Sequence, residues 1–319
     1  MKSKLVFLAV FFCTFMYAQD YGKLVDEANA LYDKKEYKQS LEKMRDAFKI
    51  KSDYDNDLYN GACIASLAGD KKLAFKWLYK ALHLGWVEVK HIKVDTDLTN
   101  LHTSKKWNKL IFAMQKKKDK IEARYNKPLK EKLETILISD QGIRRDWDII
   151  EKKYGVESTE SDSIRKIAHT IDSINLIAIK EVLDKEGWLG ADIVGKQGNM
   201  CLFLVIQHSD LQTQKKYLPM MREAVKNNKA KASSLALLED RVALGEKKPQ
   251  TYGSQIGYDK STKKFYVLLL SDPDNVDKRR KKMGLGLLAD YVKNWGIIWN
   301  VEDYKKELPR LIELLNNEK

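Results

Sequence analysis

The sequence predicts a mainly α-helical protein: helical hairpins in the first third, then a mostly helical domain with one small β-hairpin. Three observations predict this class. Two stretches repeat each other at a spacing of 34 residues, so that Leu24, Ala28, Leu31, Ser40, Met44 and Ala47 recur as Leu58, Ala62, Ala65, Ala74, Leu78 and Ala81. That period belongs to a helix–turn–helix solenoid unit, an architecture that binds proteins. Downstream, apolar residues return at intervals of three and four, the helical period. Only Thr251–Tyr258 and Lys264–Leu270, set around the turn Asp259-Lys260-Ser261-Thr262, read as strands.

The chain opens with Lys2 and Lys4, an apolar run from Leu5 to Phe15, and then Tyr17, Ala18 and Gln19. A short basic stretch, an apolar stretch and a small residue are the marks of a secretory signal, with cleavage expected after Ala18. Met16 stands where a small residue is usual, and a retained N-terminal anchor is the rival reading. The run is shorter than the roughly 20 apolar residues that span a bilayer. The expectation is a signal peptide over residues 1–18, a secreted or periplasmic product, and no membrane span after cleavage.

Residues 21–51 hold the first helical pair, turned at Asp33-Lys34-Lys35-Glu36, and residues 55–84 the second, turned at Ala68-Gly69-Asp70. Small residues at Ala28, Ala62, Ala74 and Ala81 let helix axes approach. Both units resemble tetratricopeptide repeats, with Ser40 where Ala is usual and no closing Pro. The resemblance implies a protein or peptide partner for this module. Two units bury little alone, so Gly85 to about Lys120, with Trp86, Ile92, Trp107, Leu110 and Met114, is expected to cap them. The repeat domain is placed at residues 20–122 and the C-terminal domain at 125–319.

The C-terminal domain opens with a helix over about Leu129–Tyr154. Ser161 or Asp162 is expected to cap the next helix, which sets Ile164, Ile167, Ile171, Ile174 and Ala178 on one face before Gly187 stops it. Met200–Ile206 reads as a helix starting near Gly195–Asn199. Helices follow near Tyr217–Asn227 and Ala232–Gly245. Beyond the strands, helices near Lys282–Trp295 and Val301–Asn316 close the chain.

The formal net charge is +13; residues 1–18 carry two lysines and no acid, so processing would leave +11. This balance favours acidic surfaces, but the lysines are spread along the chain. The runs Lys116–Lys118 and Arg279–Lys282 read as solvated faces, and nucleic acid is not an expected partner. Cys63 and Cys201 read as small buried hydrophobes. No Cys/His spacing suits zinc. Asp272, Asp274 and Asp277 miss the calcium-loop spacing, and Gly284-Leu285-Gly286 lacks the frame of a phosphate loop. Neither a cofactor nor a metal is expected.

Several segments stand in order between about Leu133 and Tyr291: Asp140-Gln141 with Arg144-Arg145, Asp172-Ser173-Ile174-Asn175, Gly187-Trp188, Val194-Gly195, Gln207-His208-Ser209-Asp210, Asp240-Arg241, Gln250-Thr251-Tyr252-Gly253-Ser254-Gln255, and Asp277, Arg279, Arg280 with Gly284-Leu285. Together they resemble the bacterial domain of unknown function 6624. Leu189 stands where Pro often follows the Trp, and Ser254 where Thr is usual. The resemblance implies a fold and no activity.

Two functional readings follow. In the first, an exported helical-repeat module binds a partner and the C-terminal domain binds a ligand or peptide. In the second, the C-terminal domain is a hydrolase-type enzyme. His208 acts as general base near neutral pH, Asp210 or Asp240 orients it, and Arg144, Arg145 or Arg241 holds an anion. Gln141, Asp172, Asn175, Gln207, Tyr252 and Gln255 are the accompanying ligand-binding candidates. The same residues also have structural readings: Asp240 paired or capping, Arg241 bridging carbonyls, His208 ending a helix.

Overall fold

A computed structural model describes residues 21–317. The signal-like segment and its cleavage point lie outside them. The described residues are mainly helical, with one two-stranded antiparallel sheet. They fall in two compact units, one ending at Ala123 and the other beginning at Arg124. No helix among them is long and apolar enough to cross a membrane.

In the first unit, α1 (residues 21–33) pairs with α2 (Tyr37–Ile50), and α3 (Asp55–Leu67) with α4 (Lys71–Leu84). Four of the six pairs related by 34 residues have the same environment: Ala28 and Ala62, Ser40 and Ala74, Met44 and Leu78, Ala47 and Ala81 are all 0% exposed, whereas Leu24 and Leu31 are less buried than Leu58 and Ala65. Ser40 is tolerated in this seam because its hydroxyl donates to the Ala28 carbonyl at 2.7 Å. Asp70 caps α4 by accepting from the Leu73 N–H, and Gly85 ends it at φ 117°. Then α5 (Val89–Val94), a 3-10 turn (Thr96–Leu101) and α6 (Lys105–Glu122) add Ile92, Leu98, Leu101, Leu110 and Met114 to the same core as Leu58 and Leu78.

The second unit is framed by α7 (Lys127–Tyr154), α8 (Thr159–Glu186) and α9 (Ala191–His208), with α7 packed along both of the others. Asn126 caps α7, accepting from the Leu129 N–H. The α8 cap is Ser158, not Ser161 or Asp162. Ser158 Oγ accepts from the Ser161 N–H, while Ser161 is buried and donates to the Gly155 carbonyl at 2.7 Å. The isoleucine stripe of α8 is not its buried face either. Ile167 and Ile174 are 52% and 63% exposed, whereas Ala168, Asn175, Ile179, Val182 and Leu183 are buried. Small and polar residues face α7 there, so that Asn175 meets Ser139 and Asp172 meets Arg144.

Gly195, at φ 73°, kinks α9, and the helix continues through Cys201–Ile206, buried except for the half-buried Leu204, to His208. Next come α10 (Leu211–Lys226), which starts six residues before the expected Tyr217 because Asp210 caps it, and α11 (Ala232–Gly245). Both strands are shorter than expected. β1 (Ile256–Asp259) pairs with β2 (Lys264–Val267), with Ile256 opposite Val267. Thr251–Gln255 is not strand, because its N–H groups go to side chains: Thr251, Tyr252 and Ser254 to Asp240, and Gln255 to Gln250. The two closing helices are each broken. Gly284 at φ 72° separates α12 (Val276–Lys282) from α13 (Leu288–Val292). Pro309, which has no N–H to continue a helix, falls at the start of α15 (Leu308–Asn317), after α14 (Val301–Lys306). A second core in this unit gathers Val267, Leu270, Val276, Leu288, Val292 and Leu311. Cys63 and Cys201 are buried free thiols.

Candidate functional site

The C-terminal end of α9 brings His208 against α7. His208 Nδ1 lies 3.0 Å from Asp140 Oδ1; the His208 side chain is 16% exposed and that of Asp140 1%. Asp140 sits on the apolar face of α7 with Leu133, Ile136, Leu137 and Ile143. A carboxylate there requires partners, and it has three. Besides His208, Gln141 Nε2 donates to Oδ2 at 2.7 Å, and Arg144 Nη1 lies 3.3 Å from Oδ1. Burial by itself would raise the Asp140 carboxyl, but His208, Gln141 and Arg144 together hold it below its ordinary value. It is therefore ionised at neutral pH and acts as an acceptor only. Nδ1 must carry the proton, and Nε2 is the basic nitrogen of the neutral ring. Nε2 has no protein partner among the described residues.

The folded Asp140 is more acidic than the unfolded one. Its contribution to stability is full above the ordinary carboxylate range and is lost as pH falls through the depressed value.

Arg144 ties this pair to α8. Its Nη2 bridges both oxygens of Asp172 at 2.9 and 3.0 Å, and its Nη1 donates to the Asp140 carbonyl. The potential ligand atoms of Asp140, Asp172 and His208 lie within 4.8 Å of one another, a spacing that would suit a cation. The Arg144 guanidinium already supplies the positive charge between the two carboxylates, so the donor set is organised as an ion-pair network and fits a metal poorly. A second such group, Cys63, Asp95 and Asp97 in the first unit, is likewise engaged: Asp95 accepts from the Tyr59 hydroxyl, and Asp97 from Tyr32 at 2.7 Å.

Two neighbouring amides are incompletely satisfied. Asn175 accepts from Ser139 at 3.1 Å, but its Nδ2 is buried without a partner. Gln207 Nε2 reaches the Leu237 carbonyl at 3.5 Å, and its Oε1 is buried without a donor. Arg145 is exposed.

Among the described residues, His208 has its hydrogen bond with Asp140 alone, and the other expected residues are engaged elsewhere. Asp210 does not orient the imidazole. It caps α10, accepting from the Thr213 N–H and hydroxyl, both at 2.9 Å. Asp210→Ala is accordingly expected to lower stability by about 1–2 kcal/mol in urea unfolding, while any turnover dependent on His208 is retained. Asp240 does not orient His208 either. Fully buried, it accepts N–H groups from Thr251 (2.6 Å), Tyr252 (2.9 Å) and Ser254 (3.0 Å). Burial pushes its carboxyl up, and these N–H groups oppose the rise. Arg279 and Arg280 bind the opposite polarity of the same loop, donating to the Thr251 and Tyr252 carbonyls. Tyr252 lies 3.3 Å from Glu239 through its hydroxyl, and burial pushes that hydroxyl up to about 12. Gln255 Oε1 accepts from Arg241 Nε at 3.2 Å.

The residue that sequence reasoning missed as the partner of His208 is Asp140, 68 positions away. The available signal was a lone acid among the apolar positions of α7. The sequence-predicted His208, Arg144, Asp172 and Gln141 do come together around it.

No curated protein and no solved structure matches the chain at a significant level. The model of a family of unknown function, DUF6624, matches residues 127–300, and this match contains every residue of the His208 network. With more than half of its length matched, the chain belongs to the DUF6624 family.

Proposed function

We propose that the C-terminal unit is a hydrolase-type acid–base catalyst in which His208 is the general base. The supporting observation is the Asp140–His208 bond, which fixes the imidazole through Nδ1 and leaves Nε2 unpartnered. A base needs a lone pair aimed at solvent or substrate and a group that holds the ring in that tautomer. Asp140 supplies the second requirement and also stabilises the imidazolium formed after proton uptake. Arg144 and Gln141 position Asp140; they do not touch the reacting nitrogen.

The test is turnover of p-nitrophenyl acetate, p-nitrophenyl phosphate and a chromogenic peptide amide by the full chain and by His208→Ala. The expected result is measurable turnover of at least one substrate and a loss of about 100-fold or more in the variant, with its urea midpoint retained. Absence of turnover on all three, or equal rates in the two proteins, would overturn the reading.

For the first unit we propose protein or peptide docking on a tetratricopeptide-like array. The 34-residue recurrence, with burial matched at four of its six pairs, supports it. Export is proposed on the basic start and apolar run of residues 2–15.

A further inference from the structure

We propose that Arg241, with Arg144 nearby, binds an oxyanion, a carboxylate or phosphoryl group, as the anionic part of the ligand handled by His208; this rests on the acid–base reading of that residue.

Arg241 is half-buried on α11. Its Nε donates to Gln255 Oε1 at 3.2 Å, and among the described residues its two Nη groups have no protein acceptor and no carboxylate pairs with it. The other arginines of this region are provided for. Arg144 has Asp172 and Asp140. Arg280, 2% exposed, donates to the Gly286 and Tyr252 carbonyls. Arg279 donates to the Thr251, Ser271 and Asp272 carbonyls. A guanidinium carries five N–H donors in a fixed fork that matches a carboxylate or phosphate. Leaving most of them unused while withdrawing the charge from water costs free energy unless an acceptor arrives. Burial and the like charge of Arg144 both push the proton affinity of Arg241 down. A bound anion relieves both effects.

The fork is also held in place. Gln255 turns its oxygen to Arg241 because its Nε2 donates to Ser254 Oγ at 2.9 Å and its backbone N–H to Gln250 Oε1 at 2.8 Å. Gln250 in turn donates to the Gln255 and Leu268 carbonyls. Fixing the donor before the ligand arrives lowers the ordering cost of binding. An independent sign of a missing acceptor comes from α8. Asn175 is 5% exposed, its Oδ1 is engaged by Ser139, and its Nδ2 has no partner. It lies one turn from Asp172, the anchor of Arg144. A buried amide donor left open beside a charged network takes an oxygen acceptor, from water or from a ligand.

The experiment is calorimetric titration of inorganic phosphate and, separately, acetate into the full chain at fixed ionic strength. The proteins compared are wild type, Arg241→Gln, Arg241→Lys and His208→Ala. Expected is one saturable site for at least one anion, about tenfold or more weaker in Arg241→Gln, partly restored in Arg241→Lys, and retained in His208→Ala. Phosphate alone would assign a phosphoryl ligand and acetate alone a carboxylate. The thermal midpoint of Arg241→Gln without anion should equal or exceed wild type, because an unpaired half-buried charge is removed. Three results would overturn the proposal: no saturable binding of either anion, equal binding by Arg241→Gln, or an anion-free midpoint lowered by more than about 4 °C, which marks Arg241 as structural. Loss of turnover in His208→Ala together with any of these leaves the acid–base reading standing.

Discussion

Asp240→Ala is expected to destabilise the C-terminal unit by about 3–5 kcal/mol, a large share of the roughly 5–15 kcal/mol that holds a typical domain. The carboxylate is 0% exposed and collects the N–H groups of Thr251, Tyr252 and Ser254. Alanine leaves these donors facing a cavity, and each unmet donor costs about 1–3 kcal/mol, not fully additively. Arg279 and Arg280 aggravate the loss, because their carbonyl acceptors lie on the same loop. Asp240→Asn keeps one acceptor but turns an NH2 toward backbone donors, so an intermediate loss is expected. Urea unfolding followed by tryptophan fluorescence gives the number. A loss below about 1 kcal/mol would show that the loop is held by something else.

Asp140→Asn is the second large effect, and it separates chemistry from scaffolding. The side chain keeps its shape but loses the charge that His208 and Arg144 both use. Stability should fall by about 2–3 kcal/mol at neutral pH. The difference from wild type should shrink on acidification, because the wild-type carboxylate loses its contribution as it is protonated below the ordinary carboxylate range. Any turnover dependent on His208 should fall by about 100-fold to 10,000-fold, since an asparagine neither fixes the tautomer as firmly nor stabilises an imidazolium. Equal stability losses at pH 7 and in acid would contradict the assignment of Asp140 as an ionised partner.

Local pattern made much of this molecule legible. The repeat at 34 residues gave the hairpins of the first unit, because equivalent positions in stacked helices need equivalent sizes. Helix α11 falls on Ala232–Gly245, bounded by its apolar run and a closing glycine. What failed were features in which packing between distant segments overrode the local pattern. The 3–4 spacing of Ile167 and Ile174 describes a helix but not which stripe meets α7, and the smaller stripe through Ala168 and Asn175 won. The run 251–255 has strand-like residues, yet its backbone donors are claimed by Asp240 on another element. Asp210 is near His208 in sequence, and its position at the start of α10 makes it a cap. Asp140 is far in sequence and adjacent in space because α7 and α9 pack side by side. A buried acid in an apolar helix face announces that a partner exists; it does not say on which helix.

The most direct measurement is the nitrogen-15 spectrum of the neutral His208 ring in the folded protein. The expected result is a neutral imidazole protonated at Nδ1, with a bare Nε2, and a shift toward the Nε2–H form in Asp140→Asn. An Nε2–H ring in the wild type, or a ring whose tautomer is indifferent to that substitution, would contradict the assignment of Asp140 as the group that orients His208.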